Sequence, residues 1–191
     1  MSRPTKSREK GSTLVETAIV VPLLILLALG LSEVGFLVVD YLTVTNAARS
    51  GARTGASAAD DPSADSSILD VVEEDVCNLR YGELVSVSIY EADPVDGSMP
   101  DPETSNLVNT YVPLGPLQCD STGHAMVCAP SPLSCNWDPA TDRDNVPPGF
   151  DALGVRIEFT HDSVTNIFTF PFSQLSESAV MQLEPNTKVS S

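Results

Sequence analysis

Residues 7–36 read SREKGSTLVETAIVVPLLILLALGLSEVGF, and this stretch decides the architecture of the chain. A short basic leader, residues 1–11, precedes an apolar run in which residues 17–32 carry no charge. As a helix, residues 17–39 are about 34 Å long, which is enough to cross the hydrocarbon core of a bilayer. Glu16 stands at the start of this run. A carboxylate there is costly in lipid unless it has a partner charge, so the pattern favours subunit assembly over catalysis.

The charge of the chain is divided unequally between the leader and the body. The 191 residues include 10 basic and 26 acidic side chains, a formal net charge of −16. The leader holds four of the basic residues and one acidic residue, so 6 basic and 25 acidic residues follow Gly11, a net charge of −19. Such a body repels phosphate backbones, and we expect no nucleic-acid partner. The positive-inside rule places the leader in the cytoplasm and predicts an exported body.

Three kinds of N-terminal segment fit an apolar run behind a basic leader. A cleaved secretory signal has the basic start, but its apolar core is shorter and has no acidic residue at its beginning. A plain single-pass anchor explains the hydropathy but not the spacing between Gly11 and Glu16. A signal cut on the cytoplasmic side, between Gly11 and Ser12, explains the leader, the glycine, the glutamate and a retained helix together.

The helical pattern continues beyond the apolar run and predicts one helix over residues 12–58. Its positions suited to a kink or to close helix packing are Pro22, Gly30, Gly35, Gly51 and Gly55. Proline removes a backbone donor and bends a helix, whereas the last two glycines have the GxxxG spacing of tightly packed helices. Arg49 and Arg53 lie one helical turn apart and therefore share a face.

The segments GSTLVETAIVVPLLILLALGLSEVG (11–35) and TNAARSGARTGA (45–56) resemble the TadE-like family of minor pilins, or pseudopilins, from tight-adherence (Tad/Flp) type IV pilus systems. A weaker similarity lies in FTFPFSQLSESAVMQLEP at 168–185. The resemblance implies a precursor in the bacterial inner membrane that a prepilin peptidase cuts between Gly11 and Ser12. It also implies that Glu16 becomes the fifth residue of the mature chain and sets subunit register by pairing with the N-terminal amine of a neighbour.

The resemblance also implies partners. They are other pilin subunits and minor pilins, the prepilin peptidase, the inner-membrane assembly platform and membrane lipid. Thr17 follows Glu16, whereas the small major pilins of such systems resemble a Glu-Tyr pattern. This difference and the length of the chain favour a minor component of the pilus. Two alternatives stay open: a membrane-anchored, adhesin-like binding module, and a pseudopilin of a type II secretion machine.

Beyond the long helix, the sequence predicts a small exported α+β domain. A linker at 59–66 leads into this domain, which covers residues 67–185 and is followed by a tail at 186–191. The predicted elements are a helix at 67–80, strands at 84–91, 154–161 and 178–183, and a turn or short helix at 165–170. The strands are expected to form an antiparallel sheet packed on the helices, and the first strand is expected to have one buried face.

A Cys- and Pro-rich stretch, residues 92–150, has little periodicity and is predicted to be a long loop. The cysteines of the chain are Cys77, Cys119, Cys128 and Cys135. Their even number and exported position predict two disulfides, most simply one inside the loop and one to Cys77. No CxxC pair supports zinc, and the acidic run at 138–145 lacks EF-hand spacing, so we expect neither a metal nor a cofactor.

The sequence gives little support for a catalytic site. His124 and His161 are its only imidazoles, and no HExxH motif or phosphate-binding loop accompanies them. Ser163 lies two residues after His161, but two residues do not make a catalytic triad. We therefore predict no enzymatic activity and no catalytic residue.

Overall fold

The computed structural model describes residues 9–115, 117, 126–130, 135–146, 149–165 and 174–185, with side chains from residue 13 onward. The helices are α1 (Glu9–Ala58), α2 (Ala64–Val76) and the short α3 (Pro139–Asp142). The strands are β1 (Gly82–Glu91), β2 (Val108–Pro113), β3 (Met126–Cys128), β4 (Asn145–Val146), β5 (Gly149–Phe150), β6 (Ala152–His161) and β7 (Gln174–Gln182). The predicted α+β class, a long apolar helix followed by an antiparallel sheet and a second helix, is confirmed.

The turn between α1 and α2 is shorter than the predicted linker. Ala59 adopts a left-handed conformation with φ of 48°, and its N–H donates to the carbonyl of Gly55 at 2.9 Å, which ends α1. The carboxylate of Asp61 then accepts from the N–H and the hydroxyl of Ser63 at 2.8 and 2.6 Å. This local turn lets α2 begin at Ala64, three residues before its predicted start.

Five of the strands form one sheet in the order β3-β2-β1-β6-β7, and every neighbouring pair is antiparallel. The two longest strands, β1 and β6, lie side by side with Val87 opposite Ile157. The strands β4 and β5 form a separate two-stranded ribbon. Both helices pack on the main sheet, because α1 contacts β6 and β7 while α2 contacts β1.

The core lies between the two helices and one face of this sheet. Its residues from α1 are small, which brings the helix close to its neighbours. They are Val44, Ala47, Ala48 and Ala52. The residues opposite them are larger: Ile68, Val72 and Val76 from α2, and Val155, Ile157 and Phe159 from β6. Each of these sheet and helix residues is at most 1% exposed.

The prediction of one buried face for β1 was wrong, because both faces of the strand are covered. Ser86, Ser88 and Tyr90 are buried on the face away from the helices, together with Val87 and Ile89 on the core face. Tyr90 packs with residues of the β1–β2 connection, and its ring fills the space over a glycine of β6. A Cβ on that glycine, Gly154, would lie 2.2 Å from the ring.

Residues 92–150 are not one irregular loop, which corrects that part of the prediction. They include β2 and β3 of the main sheet, α3, and the ribbon of β4 and β5. These elements have at most six residues each, and so short a strand gives little alternation for a sequence pattern to reveal. The predicted turn or helix at 165–170 lies outside the described residues from residue 166 onward, as do His124 and the tail.

A buried polar cluster ties this stretch to α2. The carboxylate of Asp65 accepts from the amide of Asn109 and the hydroxyl of Tyr111, both at 2.7 Å, and forms an ion pair with Arg143. The Arg143 guanidinium also lies 4.3 Å from the ring centre of Trp137. Burial, and then the Asp65 charge, raise the pKa of the Tyr111 hydroxyl, which therefore stays protonated as a donor.

One predicted disulfide is present inside the same stretch. Cys128 is bonded to Cys135, as expected for a bond within the 92–150 region. Cys77 is also disulfide-bonded. Cys119 lies outside the described residues.

Candidate assembly segment

The two halves of α1 differ in what covers them. From Thr13 to Ser32 every residue except Leu29 and Gly30 is exposed, and Leu14, Ile19 and Leu31 are 72%, 71% and 74% exposed. From residue 33 onward one face of the helix packs on the domain. The uncovered half, residues 13–32, is about 30 Å long, which equals the thickness of a bilayer's hydrocarbon core.

An apolar surface of this size requires a covering phase or partner. Within the described part of the chain, α1 is the one helix that is long and apolar enough to cross a membrane, with a mean hydropathy of 2.5 in its most apolar window. A secretory signal has the same properties, so the helix is compatible with membrane anchoring. The sequence predicts that the membrane segment extends to residue 39. In the structure, the domain packs on the helix from residue 33 onward. Where the membrane ends along the helix stays a prediction.

The predicted processing and register residues lie at the start of the uncovered half. Gly11 and Ser12 are in the helix by backbone conformation. Glu16 is exposed and has no hydrogen-bond or ion-pair partner among the residues described. Its neighbour Thr17 donates its hydroxyl to the carbonyl of Thr13 at 2.8 Å. The single chain therefore leaves the Glu16 carboxylate without a neutralising charge within the described region.

The predicted helix-packing residues fall into two groups. Pro22 and Gly30 belong to the uncovered half, and Gly35 faces open space, since a Cβ there would meet no atom within 4 Å. In contrast, Gly51 and Gly55 lie against the rest of the domain. A Cβ on Gly51 would be 2.8 Å from Cγ2 of Val72, and one on Gly55 would be 2.7 Å from Cδ1 of Ile68.

A second glutamate of α1, Glu33, marks the point where the domain begins to cover the helix. It is fully buried. Its Oε2 accepts the backbone N–H of Val164 at 3.0 Å, and its Oε1 accepts both the N–H and the hydroxyl of Thr165 at 2.6 Å. The hydroxyl of Ser163 donates to Oε1 at 3.3 Å. Four donors from the turn after β6 thus satisfy one helix carboxylate.

Two helical turns further, Asp40 makes a second buried tether. Its Oδ2 lies 2.8 Å from Nδ1 of His161 at the end of β6, and its Oδ1 accepts the backbone N–H of Arg80 at 3.2 Å. Between these two tethers, the ring of Phe36 packs on that of Tyr81 with centroids 4.8 Å apart. The start of β1 and the end of β6 are therefore fixed to α1 at the end of the domain nearest the uncovered half.

Sequence reasoning missed both tethers, although a signal for them was present. Glu33 and Asp40 are seven residues apart, so they lie on one face of a helix, and both interrupt an otherwise apolar surface. The face they share becomes the buried face of the second half. The polar residues weighed for catalysis have structural partners here, because His161 binds Asp40 and Ser163 binds Glu33.

Residues 11–53 match the family described as TadE-like protein. The TadE-like segment covers less than a quarter of the 191 residues. It begins at the predicted cleavage site and includes the uncovered half and both acidic tethers. It ends within the half of α1 that packs on the domain.

The match supports the resemblance identified in the sequence and suggests a part in the Tad pilus system. The TadE-like family is a structural rather than an enzymatic kind of protein. Nearly all of the sheet domain lies beyond the match. No curated protein and no solved structure matches the chain.

Proposed function

We propose that the chain is a TadE-like minor pilin, or pseudopilin, that takes part in assembly of a tight-adherence type IV pilus. One observation carries the proposal: the TadE-like segment coincides with an uncovered apolar half-helix that has Gly11 and Glu16 at its start. A prepilin peptidase cuts between Gly11 and Ser12. The uncovered half then remains in the inner membrane with the leader side in the cytoplasm and the sheet domain outside.

Cleavage creates a positive charge that can pair with the Glu16 carboxylate. The new amine belongs to Ser12, and Glu16 becomes the fifth residue behind it. In lipid an isolated carboxylate and an isolated ammonium are both costly, whereas the pair formed between two subunits offsets much of that cost. A one-turn slip of one helix past its neighbour breaks the pair, so the contact fixes the register of neighbouring subunits.

The first experiment determines the N-terminus of the membrane-extracted protein by intact mass, in cells with and without a prepilin peptidase. The proposal requires the mature chain to begin at Ser12 only when the peptidase is present. A Gly11→Arg variant is expected to keep the whole leader. An adhesin-like anchored module predicts an uncleaved chain in both cells, and any mature N-terminus other than Ser12 contradicts the proposal.

The second experiment separates assembly from anchoring by means of Glu16→Ala. This variant is expected to be cut normally and to stay in the membrane, but to be absent from sheared fibres. Thr17→Ala is the matched control, because Thr17 is the next residue on the helix and is also exposed. Recovery of Glu16→Ala in sheared fibres at the level of the control would count against a register role. Fibre formation by the host, with the protein incorporated, distinguishes a pilus component from a type II secretion pseudopilin.

A further inference from the structure

Strand β7 is an edge strand of the main sheet, and its pairing with β6 shows which of its backbone groups face outward. The N–H of Leu183 donates to the carbonyl of Asp151 at 3.0 Å, and this pair continues the β6–β7 register. On the other side of β6, the carbonyl of Ala152 accepts from the N–H of Ala92 at 2.7 Å. Hydrogen-bonded pairs alternate along an antiparallel ladder, so the odd-numbered residues of β7 bond to β6. The backbone N–H and C=O groups of the even-numbered residues therefore point away from the sheet. These outward residues are Gln174, Ser176, Ser178, Val180 and Gln182.

The outward edge of β7 is uncovered within the part of the chain that the structure describes. Its backbone N–H and C=O groups have no hydrogen-bond partner among the described residues. The side chains of all the outward residues are exposed. An edge of nine residues with free donors and acceptors is a template for another strand. Proteins often protect such edges with lysine or proline, and β7 contains neither.

The outward edge of β7 is also the part of this acidic surface where close approach costs least. The chain after Gly11 has 6 basic and 25 acidic residues, so two copies repel each other in most orientations. The one charged residue of β7 is Glu177, which accepts a hydrogen bond from the hydroxyl of Tyr41 on α1. At the opposite edge of the sheet, β3 has three residues and offers a much shorter ladder.

The direction of β7 relative to the membrane follows from two contacts with α1. Tyr41 contacts Glu177, and the N–H of Glu184 donates to the carbonyl of Ala56 at 2.9 Å. Between these contacts the helix rises about 22 Å and the strand about 23 Å, so β7 runs along α1 and away from its uncovered half. Two copies anchored in one membrane by α1 have the same polarity. Their β7 strands therefore run in the same direction.

We propose that β7 of one copy pairs in parallel with β7 of a second copy of this chain standing beside it in the membrane. The inference rests on the membrane anchoring in the proposed function, but not on cleavage of the leader or on a pilus. The two five-stranded sheets then form one continuous sheet. Each ladder bond is individually weak, and confinement in the membrane supplies the high effective concentration that the contact needs.

Parallel pairing of two identical edges fixes the offset between the copies. In both copies the outward groups belong to the even-numbered residues. In a parallel ladder each outward residue bonds to the two outward residues that flank the position opposite it. The strands are therefore offset by one residue, about 3 Å. The second copy is rotated by half a turn about the strand direction, which places α1 of the two copies on opposite faces of the joined sheet.

The test measures cross-linking of the full-length chain in membranes. The protein is expressed with two different epitope tags and carries a photo-reactive amino acid at Val180. The same amino acid at Val127 of β3 is the matched control position, because both valines are 39% exposed and they lie on opposite edges of the sheet. The measured quantity is the yield of cross-links between the two tags. Val180 is expected to cross-link to residues 174–182 of the second copy, and Val127 is expected to give a yield roughly tenfold lower, because the proposed contact does not include β3.

Two pairs of variants at Ser178 test the ladder itself. Ser178→Pro removes an outward N–H without removing a bond to β6, and its ring obstructs a neighbouring strand. Ser178→Ala is its control, because both variants lose the hydroxyl that bonds to Tyr90 and only proline loses the N–H. Ser178→Asp keeps the N–H but adds a carboxylate to both edges, and Ser178→Asn is its uncharged control. We expect proline and aspartate to lower the yield at Val180 roughly tenfold, and both controls to leave it unchanged.

Two further measurements assign the cause of a lost cross-link. Retention in carbonate-washed membranes reports anchoring, so a protein that washes out contradicts the membrane anchoring of the proposed function. A retained protein that does not cross-link at Val180 contradicts the β7 contact alone. Thermal unfolding reports the fold, and where Ser178→Pro lowers the midpoint, Ser178→Asp decides the question.

The proposed contact is overturned if folded Ser178→Asp cross-links as well as Ser178→Asn. It is overturned equally if Val127 gives as high a yield as Val180, or if Val180 cross-links only to a different protein.

Discussion

At the scale of single residues, two glutamates on one helix have opposite surroundings. Glu33 is fully buried and accepts four hydrogen bonds from residues 163–165. Glu16 is exposed and has no partner among the described residues. A buried carboxylate is tolerated only when its oxygens are satisfied. Glu33 is therefore an internal tether, whereas Glu16 is available to another chain.

Replacing Glu33 with alanine is expected to destabilise the domain. The change leaves the N–H groups of Val164 and Thr165 without their acceptor, and unsatisfied buried donors are costly. We expect the midpoint of thermal unfolding, measured by near-ultraviolet circular dichroism in detergent, to fall by roughly 5 °C. Glu16→Ala is the matched control and is expected to leave the midpoint unchanged. Equal midpoints for the two variants would show that the Glu33 tether does not stabilise the domain.

At the scale of the element, α1 uses glycine in two ways. Gly51 and Gly55 let the helix approach α2 and β6 closely, because side chains of Val72, Ile68 and Leu153 occupy the space where a Cβ would stand. Gly35 has nothing within 4 Å on its side. Packing on the domain therefore requires glycine at residues 51 and 55, whereas no packing contact requires it at residue 35.

Alanine substitutions distinguish these uses. Gly55→Ala places a Cβ 2.7 Å from Ile68 and 2.9 Å from Leu153, and overpacking of this kind costs about 1–3 kcal/mol. Gly35→Ala meets no neighbour in the domain and favours the helix by up to about 1 kcal/mol. We expect urea denaturation of the detergent-solubilised chain to show a lower midpoint for the first variant only. A lower midpoint for Gly35→Ala would mean that this face is already packed.

The elements differ in how well the sequence predicts them. The alternation in β6 is strict, and its Val155, Ile157 and Phe159 are buried as expected. The sequence predicts a loop over 92–150, whereas the structure has β2 and β3 there. The pattern does not reveal these strands, because they are short and their hydrogen bonds are made with β1 and with each other. Such pairing depends on contacts between residues far apart in the chain, and local patterns do not record it.

At the scale of the whole molecule, one helix forms both the membrane-length segment and part of the domain core. Its first half is uncovered. Its second half packs against α2 and the sheet through Val44, Ala47, Ala48 and Ala52. The domain therefore begins near residue 33 rather than after the helix. The two acidic tethers at Glu33 and Asp40 fix that beginning to the turn after β6 and the start of β1.

Truncations test this division. Removal of residues 1–32 is expected to give a folded, water-soluble domain, because the covered half of α1 and both tethers are retained. Removal of residues 1–58 is expected to prevent folding, since it takes one helix of the core away and exposes the apolar face of β6. Far-ultraviolet circular dichroism and cooperative thermal unfolding distinguish the two products. A cooperatively folded product of the longer truncation would contradict the shared-core arrangement.

The sequence by itself determined the long apolar helix, the α+β class, the strand β6 and the family resemblance of residues 11–35 and 45–56, because each depends on local periodicity or on a contiguous motif. Only the tertiary structure decided where cover of the helix begins, which carboxylate is buried, and that Asp65 and Arg143 meet. These contacts join residues that are up to 132 positions apart. Their energy comes from excluding water around paired polar groups, and that environment exists only once the chain has folded.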